Sequence, residues 1–134
     1  PGSEELRVAA IINWYGITDV GDLLEGPNTR SYAVEWMGSL ANRFEIAERV
    51  SPITYIRAGL PPTLTIHGDA DPTVPYQHAV DLHKKLDALG VPNQLHTVPG
   101  GRHGGFNTEQ TLAIFETIQN FLSQHGLGTR VAAP

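Results

Sequence analysis

Short apolar runs alternate with stretches of helical periodicity along most of the chain, and this alternation constrains the fold more than any other feature. The apolar runs lie at residues 6–13, 61–67 and 93–98, and helical patterns lie at 76–90 and 108–124. Strands that alternate with helices through short connections are typical of an α/β fold with right-handed crossovers. The sequence therefore predicts a short parallel sheet of about three strands flanked by helices.

The individual segments differ in character. The run LRVAAIIN at 6–13 is continuously apolar, which predicts a strand buried on both faces. The run NQLHTV at 93–98 is less apolar and is predicted to lie near a sheet edge, and short helices are predicted at 33–41 and 44–50. Residues 126–134 are small and polar and are predicted to form a flexible tail. The apolar face of the last helix is predicted to comprise Leu112, Phe115, Ile118, Phe121 and Leu122.

Composition excludes several classes of protein. The 134 residues fit one domain, and with 40% hydrophobic and 17% charged residues the chain is expected to be soluble and globular. A net charge of −5 without a cluster of Lys or Arg argues against nucleic acid and anionic membranes as partners. No apolar run is long enough to span a bilayer. The absence of cysteine excludes disulfides, a thiolate nucleophile and a cysteine zinc site, but it leaves the cellular compartment open.

No metal site is predicted. If Asp69 is taken as the first position of a calcium loop, Val74 replaces the required glycine and Val80 replaces the required glutamate. His78 and His83 are five residues apart, whereas a zinc-binding pair on a helix is four apart. We therefore expect no functional metal.

The segment HGDADPTVPYQ, residues 67–77, holds the side chains most typical of a functional site. Asp69 and Asp71 follow one predicted strand and His103 follows the next, so the sheet brings them to the same edge. A carboxylate bonded to an imidazole N–H fixes its tautomer and stabilises the imidazolium that forms during proton transfer. Glycines on both sides of His103 leave its ring open to a substrate. An aspartate of this turn, Asp69 or Asp71, together with His103 is therefore the candidate catalytic pair.

Other side chains have simpler structural interpretations. Asp69 is predicted to stabilise a turn by bonding a backbone N–H two residues on, and His67 is predicted to pack or to bond backbone locally. Trp14 and Tyr15 follow the first strand and either line an acyl or leaving-group pocket or pack in the core. The remaining histidines are predicted to lie on the surface or on helix faces: His78, His83, His96 and His125.

The stretch PPTLTIHGDADPTVPYQHAVDLHKKLDALGVPNQLHTVPGGRHGGF, with INWYGITDV and ERVSPITYI upstream, resembles the C-terminal part of an α/β-hydrolase. It is most similar to the esterase/lipase and prolyl-oligopeptidase-like branch, which includes carbohydrate esterases. The resemblance implies that residues 1–134 form a single domain with a partial α/β-hydrolase fold and no cofactor. In this family the acid of a Ser-His-Asp triad lies in H-G-x-x-D-x-x-V-P and the histidine in G-x-H-G, positions that Asp71 and His103 occupy.

The chain departs from the family pattern at the nucleophile. That serine is expected in G-x-S-x-G, on a strand-to-helix elbow before the Asp and the His. None of the serines has glycine at both flanking positions, and the HGG-type oxyanion loop is absent. The first five strands of the family fold and the elbow are therefore expected to be missing, so the chain holds no nucleophile. Its serines are Ser3, Ser31, Ser39, Ser51 and Ser123.

Two classes of function follow from these expectations. The first is a serine hydrolase of the carboxylesterase or lipase type that acts on a small-molecule ester, to which this chain supplies Asp71 and His103. A prolyl-oligopeptidase-like peptidase is an alternative parent. The second class is a non-catalytic, truncated α/β module that self-associates, because an unpaired strand edge and exposed apolar patches drive association. The predicted partner is accordingly a second copy of the chain or the missing N-terminal half.

Overall fold

A three-stranded parallel sheet forms the centre of the protein in a computed structural model that describes residues 7–128. Its strands are β1 (Ile11–Trp14), β2 (Thr63–Gly68) and β3 (Asn93–Val98), and they lie in the order β1-β2-β3. Both pairings of β2 are parallel. The α/β fold class and the short parallel sheet predicted from the sequence are confirmed.

Four α-helices flank this sheet. The last of them begins with a capping box, in which the side chains of Asn107 and Gln110 each accept a hydrogen bond from the other residue's backbone N–H. Short 3-10 turns at Gly21–Leu23 and Pro52–Tyr55 precede the first and follow the second helix. The helices are α1 (Ser31–Met37), α2 (Arg43–Val50), α3 (Gln77–Ala88) and α4 (Thr108–Gln124).

The first strand is shorter and less buried than predicted. It begins at residue 11 instead of residue 6, which lies outside the described range. Ile11 is 38% exposed, so the prediction of a strand buried on both faces is wrong for β1. Every residue of β2 is buried, because β2 alone among the described strands has a neighbour on each side. The run at 93–98 forms the opposite edge strand, β3, as predicted.

The main core lies between the sheet and α4, and it corrects the predicted apolar face of that helix. Ile114, which was not predicted, is fully buried together with Phe121. Leu112 and Phe115 are 66% and 51% exposed, and the Phe115 ring lies 6.3 Å from the ring of Trp14 at the end of β1. These two side chains are therefore largely exposed and do not belong to the buried core. The buried cluster comprises Leu64, Ile66, Val98, Ile114 and Phe121.

Two further predictions concern the ends and surface of the chain. Of the predicted flexible tail at 126–134, residues 129–134 lie outside the described part, and the prediction stays untested. Within residues 7–128, no helix has the length and apolar character needed to cross a membrane.

A second apolar cluster, which the sequence did not predict, joins the loop after β1 to α1 and α2: Val20, Leu23, Leu24, Ala33, Met37 and Ala47.

Candidate active site

Asp71 lies in the loop after β2, and its side chain is completely buried. Its Oδ1 atom accepts hydrogen bonds from the backbone N–H groups of Thr73 at 2.7 Å and Val74 at 3.0 Å. Its Oδ2 atom lies 2.8 Å from Nδ1 of His103. Because each oxygen has its own partners, the direction in which the carboxylate faces is fixed.

These partners also determine the charge of Asp71. Burial raises the pKa of a carboxyl group, but the hydrogen bonds from His103 and from the backbone of Val74 and Thr73 outweigh that effect. The pKa of Asp71 therefore lies below its ordinary value. An ionised carboxylate only accepts hydrogen bonds, so Nδ1 of His103 carries the proton of this pair.

Asp69 makes a different contact from the one predicted. Its Oδ1 atom accepts a hydrogen bond of 2.7 Å from the backbone N–H of Gly100, in the loop after β3. The turn bond to a backbone N–H two residues on is made by Asp71, which bonds Thr73. Asp69 therefore ties together the two strand-end loops that carry Asp71 and His103.

Glycines allow the loop that carries His103 to approach the end of β2. A Cβ atom on Gly68 would lie 2.1 Å from the carbonyl oxygen of Gly101, so no larger residue fits there. Gly104 has a φ of 82°, which glycine adopts without strain, and its N–H donates to the carbonyl of Arg102 at 2.9 Å. The chain thus turns tightly around His103, whose side chain remains 34% exposed.

An open cavity of about 340 Å³ lies beside His103, and Trp14 and Tyr15 both line it. The ring of Tyr15 lies 4.4 Å from the imidazole of His103. Tyr15 has a φ of 39°, a left-handed conformation that is uncommon outside glycine and that occurs often at functional sites. Tyr32 and Val74 also line this cavity. The sequence left the role of Trp14 and Tyr15 open, and the structure places both in the wall of the cavity.

His67, at the end of β2, is completely buried and contacts the same carboxylate. Its Nε2 atom lies 3.1 Å from the carbonyl oxygen of Val74 and 3.3 Å from Oδ2 of Asp71. The bond to Val74 agrees with the predicted local backbone contact. Burial lowers the pKa of His67, although the bond to Val74 and the charge of Asp71 act in the opposite direction. The contact with Asp71 was not predicted, since the sequence does not show which way the ring faces.

Two of the histidines predicted to lie on the surface or on helix faces lie on α3 and are buried. Nδ1 of His78 accepts a hydrogen bond from the backbone N–H of Thr18, and His83 bonds the side chain of Asn93. Both face neighbouring elements because α3 packs closely against the rest of the protein. Among residues 7–128, no group of three or more His, Cys, Asp or Glu side chains is placed to hold a metal ion.

No serine in the described part of the chain lines the cavity beside His103. Ser51 is buried and bonds the backbone of Ala47 and Val20, so its hydroxyl has a structural role. Ser31 begins α1, and Ser123 lies in the last turn of α4. Ser3 lies outside the described range.

Known proteins that resemble this chain include esterases. Residues 1–86 match the BD-FAE family model, an α/β-hydrolase-type esterase domain. A thermophilic esterase, Est2 of Thermogutta terrifontis, is 27% identical with a TM-score of 0.70, and the match covers 99% of this chain and 50% of that one. A truncated carbohydrate esterase from gut microbiota is 30% identical with a TM-score of 0.69, over 89% of this chain and 43% of that one.

A larger protein also contains a similar segment. The non-reducing polyketide synthase ausA of Emericella nidulans is 32% identical over 114 residues, which cover 77% of this chain and 4% of that protein. The chain therefore spans about half the length of the solved esterases it matches and a small part of this curated relative.

Proposed function

The chain belongs to the BD-FAE family of α/β-hydrolase-type esterase domains, and from this membership we propose that it supplies the acid and the histidine of a serine carboxylesterase. In this proposal His103 is the general base and acid, Asp71 orients it, and the substrate is a small-molecule ester. No cofactor takes part. The observation that carries the proposal is the 2.8 Å contact between Nδ1 of His103 and Oδ2 of Asp71.

The geometry of the pair determines the proton transfers. Because Nδ1 of His103 donates to Asp71, Nε2 is the nitrogen that exchanges protons with the reactants. Nε2 takes the proton of a serine hydroxyl as its oxygen attacks the ester carbonyl, and it returns that proton to the alcohol as the alcohol leaves. A water molecule then repeats both steps on the acyl-enzyme. The buried, ionised Asp71 stabilises the imidazolium at each stage.

The surroundings of the pair support access for an ester. His103 is partly exposed while Asp71 is buried, so a substrate can reach the histidine and not the carboxylate. The adjoining cavity has aromatic walls formed by Trp14, Tyr15 and Tyr32, which suit an apolar part of a substrate. The same pair would serve a prolyl-oligopeptidase-like peptidase, but the solved structures named above are esterases, which favours ester bonds.

The nucleophilic serine and the oxyanion hole are proposed to come from an N-terminal half or from a partner chain, with residues 1–134 as a single C-terminal domain. The side of β1 that faces away from β2 has no strand partner among the described residues, and an unpaired edge accepts a further strand. Exposed apolar side chains lie on or near β1, and we call this surface the open edge: Val8, Ile11 and Phe115.

The open edge also supports a second candidate function, a non-catalytic module that self-associates. Two copies of the chain would cover this surface by pairing their β1 strands or by exchanging segments. Light scattering at micromolar concentration tests this candidate, which predicts a dimer or a larger oligomer. A strictly monomeric species would exclude it.

The test of the catalytic proposal is hydrolysis of p-nitrophenyl acetate by a form of the protein that carries its serine. His103→Ala and Asp71→Asn are each expected to lower kcat by roughly 10³-fold or more. His125→Ala is the control, because His125 packs on Phe121 at the end of α4. Full activity in the His103→Ala variant would refute the proposal.

A further inference from the structure

Two imidazoles, not one, lie against the Asp71 carboxylate. Oδ2 of Asp71 is 2.8 Å from Nδ1 of His103 and 3.3 Å from Nε2 of His67. His103 is partly exposed, whereas the side chain of His67 is completely buried and cannot touch a substrate. Any effect of His67 on the reaction must therefore pass through Asp71.

The surroundings of His67 determine which of its nitrogens carries the proton. Nε2 faces two oxygen acceptors, the carbonyl of Val74 and Oδ2 of Asp71. Nδ1 is buried and has no hydrogen-bond partner among the described residues. A proton on Nδ1 would leave a buried donor unsatisfied and would turn the lone pair of Nε2 toward two oxygens, which is costly. The proton of a neutral His67 therefore lies on Nε2.

We propose that His67 is a positioning residue, which as the neutral Nε2–H tautomer holds the Asp71 carboxylate in the orientation that faces His103. His67 acts on Asp71 by two routes. The first is indirect: Nε2–H donates to the carbonyl of Val74, and the N–H of Val74 donates to Oδ1 of Asp71 at 3.0 Å. The second is direct, because the N–H dipole lies 3.3 Å from Oδ2. The positioning role rests on the proposed function of Asp71 and His103.

A neutral donor suits this place better than a cation. The titratable groups whose charges act on His67 are Asp71, His78 and His103, and the ring of Tyr76 packs edge-on against it at 5.7 Å. Burial and the two histidines favour the neutral form of His67, and the lowered pKa agrees with this. An uncharged N–H supports the carboxylate without repelling the imidazolium that His103 forms during catalysis.

Long-range ¹H–¹⁵N correlation spectra of the labelled chain test the inference, because they report the tautomer of each imidazole. We expect Nε2–H for His67 and Nδ1–H for neutral His103. His67→Phe keeps a ring but removes the donor, and it should shift His103 away from a single Nδ1–H tautomer. His67→Gln places an amide N–H near the position of Nε2 and should preserve that tautomer, whereas the shorter His67→Asn should lose it.

A matched control is available in α3. His83→Phe removes another buried histidine, which bonds Asn93 at the opposite end of β3, and it should leave the tautomer of His103 unchanged. A proton on Nδ1 of His67, or an unchanged His103 tautomer in folded His67→Phe, overturns the inference. If that variant does not fold, identical His103 tautomers in the Gln and Asn variants overturn it instead. The spectra need no esterase activity, so an inactive protein with the expected tautomers refutes the proposed function alone.

Discussion

The two sides of β2 differ in how completely they are covered. On one side β2 pairs with β3 along its whole length, and the loops beyond hold Asp71 and His103 in contact. On the other side β1 pairs only as far as Ile66, and the exposed ring of Phe115 lies 6.3 Å from the ring of Trp14 at the end of β1. The β3 side holds the candidate pair Asp71 and His103, whereas the outer edge of β1 has no strand partner among residues 7–128.

The hydrogen bonds that hold Asp71 and His103 together come from the loops after two neighbouring strands, β2 and β3. Asp69 ties the loop after β2 to Gly100 in the loop after β3, and Asp71 bonds its own turn and His103. None of these contacts involves β1 or its open edge. The account therefore predicts that perturbing one side of β2 leaves the other largely intact.

The largest effect on stability is expected from removing an aromatic ring on the face of α4 that packs against the sheet. Phe121→Ala should lower the free energy of unfolding by about 3–5 kcal/mol, because Phe121 is fully buried. Phe115→Ala, on the same helix but at the open edge, should cost less than about 1 kcal/mol. Urea unfolding measures both values. Equal losses would show that Phe115 is covered in solution and that the open edge is already an interface.

A smaller loss is expected where the two strand-end loops meet. Gly68→Ala places a Cβ atom 2.1 Å from the carbonyl oxygen of Gly101, and should cost about 1–3 kcal/mol through displaced backbone. Gly21→Ala is the matched change in a 3-10 turn, where the nearest atom belongs to the side chain of Asp19 at 3.2 Å. Thermal unfolding of both variants compares the sites. Similar melting temperatures would contradict the close approach of the loops.

Acid should lower the free energy of unfolding in two steps, through groups on the β3 side of β2. The pKa values of buried His67 and His83 are lowered, so the stability that comes from their neutral forms is lost as pH falls below about 6.5, where the unfolded chain takes up protons. The pKa of Asp71 is also lowered, so its contribution is present above about pH 3.9 and is lost below it. Unfolding free energies across this pH range measure both steps.

Substitutions separate these two steps. Asp71→Asn should flatten the step below about pH 3.9 without shrinking the step below about pH 6.5, because the charge of Asp71 raises the pKa of His67 and its loss lowers that pKa further. His83→Gln should reduce only the step below about pH 6.5. A stability that does not change between pH 7 and pH 5 would show that the buried histidines do not stay neutral in the folded protein.

The smallest effect on stability is expected at the open edge itself. Ile11→Lys should change the free energy of unfolding by no more than about 0.5 kcal/mol, yet it should weaken any self-association through β1. Leu89→Lys is the control, because Leu89 is also 38% exposed but lies at the end of α3. Sedimentation velocity distinguishes the two. An equal effect of both variants on association would place the interface elsewhere.

The sequence predicted the order of strands and helices because the periodicity of apolar residues reports which elements are covered. It did not predict what covers them: Leu112 and Phe115 belong to the apolar pattern of α4, yet they are 66% and 51% exposed. Asp69 and Asp71 are both aspartates near a strand end, and only the position of the next loop shows which one bonds Gly100. The burial of the His67 ring beside Asp71 likewise depends on tertiary packing, which the sequence alone does not show.

Complementation tests the central claim, that this chain supplies the acid and histidine of an esterase and not the nucleophile. The chain alone should hydrolyse a short acyl ester no faster than its His103→Ala variant. Mixed with or joined to an N-terminal half that carries a G-x-S-x-G serine, it should gain activity, and His103→Ala should remove that activity by roughly 10³-fold or more. Turnover by the complemented protein that is independent of His103 would contradict the account.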